Sequence, residues 1–91
     1  MTFDDLKFEL RGDGIKQAVV TFANGRGASI ICEPYSCGES FGLYELAVTK
    51  PYEDRWTIDY DTPITEDVLG HLSPEEVTDI LGRIEELEPV K

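Results

Sequence analysis

Chemistry-bearing side chains are scarce in this sequence. It has one histidine, two cysteines and eight basic residues in 91 positions. Eight bases scattered among nineteen acids cannot form the positive face that releases counterions from a phosphate backbone, so direct nucleic-acid binding and anionic membrane binding are excluded. A structural zinc site wants about four ligands, and Cys32, Cys37 and the distant His71 fall short. No metal and no cofactor are expected. No apolar run approaches the roughly 20 residues of a membrane span, and the opening MTFDDLKF lacks the basic and apolar regions of a signal peptide. The expectation is a cytoplasmic protein in which Cys32 and Cys37 are free thiols.

Charge is what the sequence has in excess. The formal net charge is -11, and it is uneven. Residues 53–91 carry twelve acids and three bases, a net of -9, whereas residues 1–52 carry seven and five, a net of -2. Such a field attracts basic protein surfaces. Hydrophobic content of 41% with nine aromatics supports a core, and a chain of this length forms one domain, residues 1–91.

Alternation reads as strands first. Leu6, Phe8 and Leu10 alternate with charged residues, and GDG at 12–14 turns the chain. Ala18, Val20 and Phe22 repeat the period of two up to Asn24-Gly25, a dipeptide that favours a tight hairpin, and Ala28, Ile30 and Cys32 return. The stretch EPYSCGESFG, 33–42, reads as a loop. LYELAVT places Tyr44, Leu46 and Val48 on one face, KPYED turns, and RWTIDY places Trp56, Ile58 and Tyr60 opposite Arg55, Thr57 and Asp59.

Helical signals follow. Thr65 is placed to cap a short turn through Glu66, Asp67 and Val68 that Gly70 stops. Ser73-Pro74-Glu75-Glu76 is a stronger start, a capping box with proline at the first helical position. Val77, Ile80, Leu81, Ile84 and Leu87 then form one apolar stripe, with Glu75, Glu76, Asp79, Glu85, Glu86 and Glu88 off it. The fold class is α+β: an antiparallel sheet of about four to five strands packed by a C-terminal amphipathic helix.

No catalytic pattern is complete. DYDTP at 59–63 has two aspartates, but an Asp-x-Asp phosphatase also needs a lysine and further carboxylates on a parallel sheet. The calcium-loop pattern fails at Ile64 and Gly70, where it needs Gly and Glu. Capping accounts for Thr62, Thr65 and Ser73 without any reaction. Tyr35, Phe41, Tyr44, Tyr52 and Trp56 divide between core and an exposed aromatic patch beside the acids, suited to gripping arginine.

Four segments carry a resemblance: NGRGASII at 24–31, FGLYELAV at 41–48, YDTPITEDVLGHL at 60–72 and EEVTDILGRI at 75–84, which together cover most of residues 24–84. They resemble a recurring type of small accessory protein of tailed bacteriophages and prophages. The resemblance implies a protein made inside an infected bacterium that acts by occupying host proteins, and it implies no catalytic residues. The leading expectation is an interaction protein, not an enzyme. Glu75, Glu76, Asp79, Glu85, Glu86 and Asp67, with Tyr35 and Tyr52, would bind a basic surface of a host or phage protein, inhibiting a host defence or nucleic-acid-handling protein. The alternatives are a small enzyme or ligand-binding domain using His71, Cys37 and the Asp59/Asp61 pair, and an oligomeric virion or assembly component.

Overall fold

The structure, a computed structural model, describes residues 1–10, 14–32, 44–59, 62, 64 and 69–89. An antiparallel sheet is covered on one face by a single C-terminal helix, the α+β arrangement that strands followed by an amphipathic helix dictate. Its strands are β1 (Glu9–Leu10), β2 (Lys16–Thr21), β3 (Gly27–Cys32), β4 (Tyr44–Tyr52), β5 (Arg55–Ile58) and β6 (Leu69–Leu72), and α1 is Pro74–Glu85. The order is β1-β2-β3-β4-β5, with β6 also paired to β4. β4 is nine residues long, so one of its edges serves two partners. β5 pairs with its Thr49–Tyr52 end and β6 with its Tyr44–Leu46 end.

The hairpins follow from their turn residues. Gly25 has φ 86, the left-handed value that the Asn-Gly turn between β2 and β3 requires. Gly27 opens β3 at a point of close approach. A Cβ there would lie 2.1 Å from the Val20 carbonyl oxygen and 2.8 Å from Thr49 Oγ1.

The helix-side core is built on the alternation of β3 and β4. Ile30, Leu46 and Val48 are fully buried against Val77, Leu81 and Ile84 of α1. Tyr44 joins them, its ring 4.9 Å from Phe3 and 5.7 Å from Phe8 by centroid, so it is core and not part of an exposed aromatic patch. Tyr52 and Trp56 are exposed, but the register puts Tyr52 beside Arg55 and Trp56 beside Pro51, on opposite faces. Tyr35, Phe41 and Tyr60 lie outside the described residues.

Three expectations are corrected. The first strand is only Glu9–Leu10, and Phe3–Asp5 forms a 3₁₀ turn. Leu6 and Phe8 still pack on the core, while Leu10 on this short edge stays 72% exposed. Trp56 and Ile58 do share a face, as their alternation implies, and it is the one turned away from α1, because their partners Pro51 and Thr49 belong to that face of β4. Gly70, assigned to stop a helical turn, lies inside β6. The Thr65–Val68 turn itself lies outside the described residues. Finally, Cys32 is disulfide-bonded and not a free thiol. The chain's one other cysteine, Cys37, lies outside the described residues. Disulfides persist in oxidising compartments, so the thiol argument for a reducing one falls away. Among the described residues, no helix is long and apolar enough to cross a membrane.

β6 escaped the periodicity argument for a physical reason. Tyr44 pairs with Leu72 and Leu46 with Leu69, so Gly70 and His71 together oppose Glu45. This β-bulge changes the parity and sends both leucines to the helix side. His71 accommodates it at φ 56.

Candidate protein-binding groove

The site grows from the start of α1. Ser73 Oγ accepts from the Glu76 amide at 3.2 Å, and the Ser73 amide donates to Glu76 Oε1 at 3.1 Å. With Pro74 at the first position, the helix must begin here. Glu75 and Glu76 then complement the positive end of its dipole.

The buried stripe of α1 leaves two flanks. One is covered by the N-terminal segment: the Phe3 amide donates to Thr78 Oγ1 at 2.9 Å, and the Met1 amine to Glu85 Oε1 at 2.7 Å. Along the other flank lies a groove of about 480 Å³ lined by Ile64, Leu69, Leu72 and Ile80, with Glu75, Glu76, Asp79 and Arg83 also on its walls. The apolar residues come from the β6 segment and the helix, and the acids from the outward edge of the helix. Arg83 Nε meets Asp79 Oδ2 at 3.3 Å, but both side chains are about 65% exposed, so the pair adds only about 0.3–0.5 kcal/mol and opens readily for a partner.

The predicted binding residues therefore divide. Glu75, Glu76 and Asp79 come together on the groove. Glu85 is exposed and bound to the Met1 amine, and Glu86 is exposed at the C-cap of α1. Tyr52 is exposed near the end of β4 away from β6, and it does not line the groove. Asp67 and Tyr35 lie outside the described residues. Sequence reasoning missed Leu69 and Leu72, because the bulge hides a strand behind a spacing of three. Arg83 was legible as the only base on the helix.

The residues of the enzyme alternative have other positions. Asp59, expected on the polar face of its strand, is buried at 5% exposure and accepts from Arg26 Nη1 at 2.5 Å. Arg26 Nε also donates to the Glu88 carbonyl at 3.0 Å, while Asn24 Nδ2 reaches the Ile84 and Leu87 carbonyls at 2.8 and 3.1 Å. The hairpin tip thus adds hydrogen bonds to carbonyls at the end of α1, where regular helical donors run out, and on Ile84 it joins the Leu87 amide. Beyond their part in the turn, Asn24 and Arg26 are a clamp on the end of α1, and Asp59 belongs to that clamp. His71 is exposed on β6, roughly 10 Å along β4 from the stretch that Asp59 adjoins. Cys37 and Asp61 lie outside the described residues. Among the described residues no three His, Cys, Asp or Glu side chains cluster to hold a metal.

Compared with protein-family models, curated proteins and solved structures, the chain has no significant match.

Proposed function

We propose that this is an interaction protein whose α1 groove holds a basic segment on the surface of another protein. The observation that carries this reading is the pairing of an apolar floor with acids along one helix edge. Apolar side chains of the partner enter over Leu69, Leu72 and Ile80. Its Lys and Arg residues meet Glu75, Glu76 and Asp79, with the net charge of -11 drawing it in. In an infected bacterium, the setting the motif resemblance implies, such binding would occupy the basic surface of a host defence or nucleic-acid-handling protein and inhibit it.

Affinity capture from bacterial lysate with mass spectrometry tests this. Glu75→Gln, Glu76→Gln and Asp79→Asn are combined, since a glutamine in place of Glu76 keeps the capping box. The expected result is a partner captured by the native chain, released as salt rises and lost with the triple variant at unchanged melting temperature. A catch identical for both chains at low and high salt refutes the proposal.

A further inference from the structure

We infer that the face of the sheet turned away from α1 is an interface between two copies of this chain. An antiparallel sheet with one solvated face normally places polar residues on it. Here the pairing register puts Val19, Ile31, Ala47, Trp56 and Ile58 on that face. Val19 and Trp56 are each 42% exposed.

Charge selects the occupant. Of the strand residues that the register places on this face, only Glu9 and Glu45 are charged, in a chain of net -11. A basic partner is drawn to α1, whereas a second copy meets less repulsion on this sparsely charged face and keeps both acidic helices outward.

Shape agrees with a two-fold arrangement. A symmetric dimer needs one surface that is complementary to itself. This face offers both a bulky element, the 42% exposed Trp56, and beside it a hollow of about 210 Å³ in which the small residues Ser29 and Ala47 lie between Ile31, Glu45, Ile58 and the indole. About four strands at ~4.8 Å spacing form the face, which is at the small end of specific interfaces, so association is concentration-dependent.

Trp56 is the only tryptophan, which makes it a reporter. Sedimentation of the full chain across a concentration series is expected to show the mass rising from 10.2 kDa toward twice that. The Trp56 emission shifts to the blue over the same range. Val19→Glu, at an exposed position, is expected to move the midpoint at least tenfold higher with an unchanged circular dichroism spectrum. Thr21→Glu, exposed on the same face, does the same if Val19→Glu perturbs folding. A chain that stays monomeric into the millimolar range overturns the inference and leaves the face to a different protein. So does a dimer that both substitutions leave intact and that Glu75→Gln/Asp79→Asn disrupts.

Discussion

Individual side chains in this protein divide between holding the helix and offering charge. Asp59 and Arg26 show the first role, since a carboxylate this buried is stable only beside its cation. Arg26→Met should therefore cost about 3 kcal/mol, because it takes the cation away from that buried charge and weakens the clamp on the end of α1. The double variant Arg26→Met/Asp59→Leu should lose less than the single one, and urea unfolding midpoints measure the difference. Gly27 makes a steric demand, not a chemical one. With a backbone oxygen 2.1 Å from any added Cβ, Gly27→Ala should destabilise by about 3 kcal/mol in the same assay.

Elements were legible where burial follows one period. The Ser73 capping box and the Val77, Ile80, Leu81, Ile84 stripe specify α1 by local rules, and the structure places its start and buried face accordingly. β6 was not legible, because a bulge converts a strand's period of two into a spacing of three, which sequence reasoning assigns to a helix. For β5, alternation told that Trp56 and Ile58 share a side and not which side meets the helix. α1 also has a weak position. Gly82 has nothing within 4 Å of an added Cβ, so Gly82→Ala should raise stability by about 0.5–1 kcal/mol through helix propensity alone. Thermal unfolding by circular dichroism checks this.

For the molecule as a whole, charge and pH act in opposite directions at one point. Asp5 accepts from the Thr2 amide at 2.9 Å and from the Thr2 hydroxyl at 3.2 Å, and these bonds hold its pKa below the ordinary aspartate value. A depressed folded pKa means that the contribution is present above the unfolded value and is lost as pH falls through the folded one. Lowering pH through the carboxylate range also relieves the repulsion of a -11 chain. The N-terminal 3₁₀ turn is therefore expected to loosen in acid before the sheet does. A carboxyl NMR titration placing Asp5 at or above an ordinary aspartate would refute this.

By itself the sequence determined the α+β class, the hairpins, the helix start and the gathering of acid near the carboxyl end, because these depend on periodicity, turn chemistry and composition within short windows. Only the tertiary structure decided which acids line the groove, that Asp59 is matched by Arg26, and which face of the sheet α1 covers. Those outcomes join residues from different elements, such as Asn24 with Ile84 and Arg26 with Asp59, and separations of that kind leave no local pattern.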